Sequence, residues 1–229
     1  MKFTVLTLFP NLFKNFINES IIKRAITSKK VIVEVVNFRD FSLDPKKKVD
    51  DYQYGGGWGM VIKLQPIISA IKKYKKKNSK VILLSPQGKT FNNVIANRLI
   101  KDKHIILICG HYEGFDERII NYVDEIISIG DYILTGGEIP AMAIMDTCIR
   151  LINNVINPKS LEIETFDNNL LDYPVYTKPI KYDNYTVPKV LLSGNHKLIN
   201  DWRKKQQIMK TKKYRIDLYN KYTSSEKDR

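Results

Sequence analysis

Very little in this sequence answers to the common signatures of metal, redox or nucleotide chemistry. Only two cysteines, Cys109 and Cys148, occur in 229 residues, and they lack metal-ligand spacing. Such a pair reads as buried thiols in a reducing compartment, not as a disulfide or redox motif. The three histidines share no motif. His104 opens a strand-like run and reads as structural, His111 as an RNA or structural contact, and His196 as support for the C-terminal region. Neither GxGxxG nor GxxxxGK[ST] occurs, which removes the dinucleotide fingerprint and the phosphate loop. No apolar run approaches the roughly 20 residues that span a bilayer. MKFTVLTLFP enters a strand-like pattern directly, without a signal-peptide layout, so a cytoplasmic protein with no membrane partner is expected.

Acidic residues are the other shortage: 24 against 38 basic ones, for a net charge of +14 and a pI near 9.6. That excess suits a polyanionic partner, because lysines near phosphates release counterions on binding. Lysine also comes with a Lys/Asn/Ile-biased composition, visible in IKKYKKKNSK and RLINNVIN. Charge alone therefore does not choose among RNA, DNA and an anionic membrane surface.

The chain does have glycines where a sheet would end. CGHYEGFDERI (109–119) is followed by SIGDYILTGGEIPAMAIMD (128–146). Strand-like runs (HIILICG, DEIISIG, DYILTGG) each close on glycine, whose missing Cβ permits positive φ and lets bare N–H and C=O groups approach a ligand. Gly110, Gly114, Gly130, Gly136 and Gly137, interleaved with Tyr112, Glu113, Tyr132 and Pro140, describe a small-molecule pocket built largely from main chain. TVLTLF, VIVEVVNF and KVILLSP are further strands. PIISAIKKYKKK, TFNNVIANRLIKD and residues 138–156 have helical period, and a single helix is expected from Pro10 to about Thr27. The βαβ rhythm predicts an α/β parallel sheet with helices on both faces. Residues 157–172 read as a polar linker. Residues 173–229 form a second region with a basic helix in HKLINDWRKKQQIMKT and a disordered tail, TSSEKDR.

The ordered set LTLFP, RDF, VDDYQYGGGWGM, LSPQG, the two glycine blocks, LLDYPVYTKP and VPKVLLSGNH resembles the bacterial tRNA (guanine-N1)-methyltransferase family over roughly residues 3–207. The resemblance implies a trefoil-knotted methyltransferase domain (1–156) and a small, mostly helical tRNA-binding domain (173–229). It implies a homodimer that methylates the guanosine 3′ to the anticodon and so holds the anticodon stem-loop. It implies S-adenosylmethionine held by Leu84, Ser85 and Pro86, by Gly110, Tyr112, Glu113 and Gly114, and by Ile129, Gly130, Asp131, Tyr132, Ile133, Leu134, Gly136, Gly137 and Pro140. Glu113 is placed near the methionine end or a divalent ion, with Mg2+ left open. A side chain at Gly137 is expected to exclude the cofactor while the fold survives.

Guanine N1 carries a proton at neutral pH, so the reaction needs a carboxylate base beside N1 and a cation or donor near O6. The family uses an aspartate in the linker; spacing to Leu170 puts Glu164 in its place, with Glu162 as the second candidate. Arg150 matches the family's active-site arginine. It also sits i, i+4 from Asp146, as an ordinary helix-surface pair would. Two rivals remain: a related knotted methyltransferase acting on a ribose hydroxyl or another base, and a non-catalytic RNA-binding homologue, to which the Glu164 departure lends weight. Trp58 stands where proline or alanine is common, free to pack on cofactor, RNA or a partner subunit.

Overall fold

A computed structural model describes residues 1–157 and 166–227. These divide into two compact units, Met1–Ile156 and Asn157–Arg229. The first is built on β1 (Lys2–Thr7), β2 (Ile32–Asn37), β5 (Ser79–Thr90), β6 (His104–Ile108) and β7 (Glu125–Ser128), with a separate two-stranded pair, β3 (Asp50–Asp51) and β4 (Val61–Ile62). The five strands form one sheet in the order β2-β1-β6-β5-β7, and every pairing in it is parallel. Alternate side chains of β1, β5 and β6 enter two different cores. Phe3, Val5, Ile82, Leu84, Ile105 and Leu107 face one, while Leu6, Val81, Leu83, Ile106 and Ile108 face the other. Burial on both faces is why these strands read as unbroken apolar runs instead of alternating ones.

Helices α1 (Phe13–Asn18), α2 (Ser20–Thr27), α4 (Asn93–Leu99) and α5 (Glu138–Leu151) cover the first face; α3 (Leu64–Tyr74) covers the second. The expected single helix from Pro10 to Thr27 is broken. A 3-10 turn at Pro10–Leu12 leads into α1, and Glu19 is extended (φ −123°, ψ 155°) before α2 begins. Phe13 and Ile22 are nine residues apart, which in one continuous helix would put them on opposite sides at about 100° per residue. The break resets the phase so that both are buried in the same core. DYILTGG is not a strand either: residues 131–137 form an irregular loop whose Tyr132, Ile133 and Leu134 are exposed.

The second unit is mostly helical, with α6 (His196–Tyr214), α7 (Ile216–Lys227) and a hairpin of β8 (Lys181–Tyr182) and β9 (Tyr185–Thr186). Among the described residues Leu170, Thr211 and Leu218 are its buried ones, and the Leu171 N–H donates to the Thr211 hydroxyl at 2.8 Å. The tail expected to be disordered is helical through Lys227. Earlier in the same helix, the Tyr219 and Tyr222 rings lie under Lys212 and Lys204 at 5.7 and 5.0 Å, and these cation–π contacts tie α7 to α6.

His104 is buried at the start of β6, its Nε2 2.9 Å from the Thr4 hydroxyl and its Nδ1 2.7 Å from that of Ser79. Burial, and then the Lys2 charge, hold its pKa below the ordinary 6.5. The unfolded chain therefore binds a proton that the folded one resists, so the stability present above about pH 6.5 is lost as pH falls below it. Urea unfolding should show a smaller drop in midpoint between pH 7 and pH 5 for His104→Gln than for the parent.

Candidate cofactor site

The glycine-bearing turns meet at the carboxyl end of the sheet, where open α/β folds hold ligands. β5 supplies the first. Leu84 and Lys89 both pair with Ile127, so residues 85–88 loop out of the ladder. Gly88 makes this possible, because a Cβ there would lie 2.5 Å from the Ile126 and Ile127 backbone. The second turn follows β6, with Tyr112 at φ +60° and Gly114 at φ +101°. The third runs from Ile129 to Gly137, with Gly130 at φ +149°, and feeds directly into α5. Positive φ at a non-glycine residue such as Tyr112 is the kind of strain that clusters at ligand sites.

These turns enclose a cavity of about 530 Å³. Of the cofactor residues named from sequence, all line it except Asp131, which is exposed beside it. Sequence reasoning missed Gln87, Phe115 and Glu117, which also line it, and assigned His111 no cofactor role. Trp58, 94% exposed on a loop of four positive-φ glycines, does not line it. Arg150 is half-buried in the last turn of α5. It lies ten residues after Pro140, which lines the cavity, about 15 Å along the helix axis, and does not itself line the cavity. Glu164 and Glu162 lie outside the described residues.

Beneath the turns runs a buried polar chain. Glu138, 2% exposed in the first turn of α5, accepts a hydrogen bond from the Thr7 hydroxyl at 2.5 Å and stands 2.7 Å from His111 Nε2. The sequence offered one signal for it, an acid directly after two glycines at a helix start, which reads equally well as an exposed residue favoured by the helix dipole. Cys109 is buried beside it. Desolvation, and secondarily the Glu138 charge, push its thiol well above the ordinary range. Burial raises Cys148 to about 12, so neither thiol is poised as a nucleophile.

Gly137 has a structural task besides the one expected. A Cβ there would meet the Cys109 Cα at 2.6 Å and the Gly110 nitrogen at 2.9 Å, backbone atoms of the neighbouring turn. The Gly137 N–H also donates to the Gly110 carbonyl at 2.9 Å. The missing side chain leaves room for the second turn as well as for a ligand, so the fold is expected to suffer with the site. Gly137→Ala should lose about 1–3 kcal/mol of stability through overpacking and weaken S-adenosylhomocysteine binding. Denaturant titration and calorimetry on the same preparation measure both.

For a divalent ion the fit is poor: among the described residues no three His, Cys, Asp or Glu side chains come together. For an adenosyl ligand it is good. Three turns present main-chain groups and apolar side chains to a cavity whose size lies in the usual ligand range of about 300–1,000 Å³.

Comparison with known proteins agrees with this geometry. The family model described as tRNA (Guanine-1)-methyltransferase TrmD matches residues 1–221. A protein of Malacoplasma penetrans is 65% identical over 222 residues, covering 97% of this chain and 98% of its own. One of Ureaplasma urealyticum is 56% identical over 228 residues (99% and 100%), and one of Mycoplasma genitalium 51% over 229 (100% and 99%). All three are named tRNA (guanine-N(1)-)-methyltransferase, so these relatives lend nothing to the non-catalytic alternative. With nearly its whole length matched and its glycine turns gathered around one cavity, the chain belongs to the tRNA (guanine-1)-methyltransferase family.

Proposed function

We propose that the protein transfers a methyl group from S-adenosylmethionine to N1 of the guanosine 3′ to the anticodon of tRNA. The observation that carries this reading is the main-chain cavity at the end of the sheet, in a chain matched to the methyltransferase family over residues 1–221. Leu84 to Pro86, Gly110 to Gly114 and Ile129 to Gly137 would hold the cofactor's adenosyl and methionine parts. Bound there, S-adenosylmethionine supplies an electrophilic methyl group on a sulfonium.

The chain's own residues then handle protons and charge. Glu164 takes the N1 proton, and Arg150 orients the base or answers the negative charge that spreads to O6. Arg150 stands about 15 Å along α5 from Pro140 at the cavity, and Glu164 falls in the segment that follows α5. Both facts favour a site shared across a homodimer, one subunit giving the turns and the other the linker. α6, with its lysines and arginine between Lys197 and Lys213, would lie along the anticodon stem. The net charge of +14 supplies the counterion-release contribution to tRNA binding. A cytoplasmic location suits this substrate, and no helix among the described residues is long and apolar enough to cross a membrane.

The reading is tested with labelled cofactor and tRNA transcripts carrying guanosine or adenosine after the anticodon. Label should enter only the guanosine transcript; transfer to both, or to neither, would overturn the assignment. Glu164→Gln should slow single-turnover transfer by about 10²- to 10⁴-fold, the usual worth of a general base, with tRNA binding intact. Glu162→Gln should change little, and the reverse result would move the base to Glu162.

Shared sites make a separate prediction. Inactive Glu164→Gln protein and a cofactor-deficient Ile133→Asp protein, altered at an exposed cavity residue outside the packed Gly110–Gly137 contact, should recover turnover when mixed under conditions of subunit exchange, because one site in each mixed dimer is intact. No recovery after verified exchange would place the site within one chain.

A further inference from the structure

We propose that Thr7, His111 and Glu138 form a positioning clamp that sets the spacing of the two glycine turns flanking the cavity, and that His111 controls cofactor affinity through it. The proposal rests on the reading of that cavity as the S-adenosylmethionine site. The three residues come from three separate places: the end of β1, the turn after β6, and the first turn of α5. Only tertiary structure joins them.

Glu138 is 2% exposed, and burying a carboxyl group is costly unless its oxygens are answered. Both are. The Thr7 hydroxyl accepts the Phe9 N–H at 2.9 Å, which leaves its own hydrogen for Glu138 Oε1 at 2.5 Å. His111 Nε2 answers Oε2 at 2.7 Å and must be the donor when Glu138 is ionised. His111 is the one cationic or potentially cationic side chain in ion-pair range of Glu138 among the described residues. The Phe9 ring packs on the imidazole with centroids 4.5 Å apart, so the ring is fixed from a second side.

The position of this bond gives it a consequence beyond stability. A Cβ on Gly136 would lie 2.3 Å from His111 Nε2 and 2.6 Å from Glu138 Oε2, so the bond runs directly under a residue that lines the cavity. His111 lines the cavity as well. The same two turns are joined by the Gly137 N–H to Gly110 carbonyl bond. Losing the side-chain bond would leave Oε2 unanswered and let the turns part on the cavity side. RNA contacts made elsewhere would not change.

The test compares His111→Gln, His111→Asn and His111→Phe with the parent. Glutamine keeps a donor at the reach of Nε2, asparagine carries one at the position of Nδ1, and phenylalanine keeps the ring packing with no donor. S-adenosylhomocysteine affinity should fall about tenfold or more for Asn and Phe, the scale of an unanswered buried acceptor. Gln should stay within about threefold of the parent, and KM for tRNA should be unchanged in all three. Equal affinity in Gln and Asn, or parallel changes in KM for cofactor and tRNA, would overturn the clamp. If the Phe protein does not fold, the Gln and Asn pair decides. If Gln alone folds, His111 serves folding only and the proposal fails. A parent protein that does not bind S-adenosylhomocysteine would strike the cofactor reading itself.

Discussion

The close approach of two glycine turns governs most of what this protein can do. The Gly137 N–H reaches the Gly110 carbonyl at 2.9 Å, and neither residue has a Cβ to hold the chains apart. At Gly110 a Cβ would lie 2.5 Å from the Phe115 ring; at Gly137 it would meet backbone. The sheet brings those turns together. β6 lies between β1 and β5, buried along its length, so the point where it ends at Ile108 is set by packing on both faces. A main-chain pocket inherits the rigidity of the strands that carry it, whereas one lined by long side chains would lose rotamer freedom on binding.

Charge is distributed in keeping with this. The excess of basic residues is spread over the exterior and α6, where lysines lie over tyrosine rings and stay solvated. Inside the first unit the single fully buried acid, among the described residues, sits under the cavity floor with both oxygens engaged. A flexible, screened exterior suits a long polyanion held by many weak contacts. A dry, hydrogen-bonded interior suits turns that must hold their spacing to a few tenths of an ångström.

How much of this was readable from sequence depended on whether a local pattern had one physical cause. KVILLSP and HIILICG show their strands because burial on both faces demands unbroken apolar runs. DYILTGG carries the same apolar letters for another reason: Tyr132, Ile133 and Leu134 line the cavity. The break at Glu19 was hidden because Phe13 and Ile22 both look like core residues, and their phase conflict shows only when nine positions are counted round a helix. Thr7, His111 and Glu138 lie more than 25 residues apart in the chain, so no window could join them. The tail was misjudged from its polar letters, since Thr223 to Lys227 continue a helix whose earlier Tyr219 and Tyr222 rings pack under lysines of α6.

The proposed catalytic residues obey a different logic from the glycine turns. A glycine at a strand end has one backbone task and cannot be replaced without moving its neighbours, so its position in the sequence is tightly bound to its position in space. A general base has to deliver one oxygen to one proton, and its intrinsic pKa as glutamate differs little from that of aspartate. Glu164, as the proposed base, is one methylene longer than the aspartate that the resemblance implies, a difference of about 1.5 Å in reach. A connecting segment can absorb that by a small backbone adjustment, while the packed turn at Gly137 cannot. On the proposed mechanism the base needs only reach, whereas Gly137 must carry no side chain at all, because a Cβ there would meet the Cys109 and Gly110 backbone.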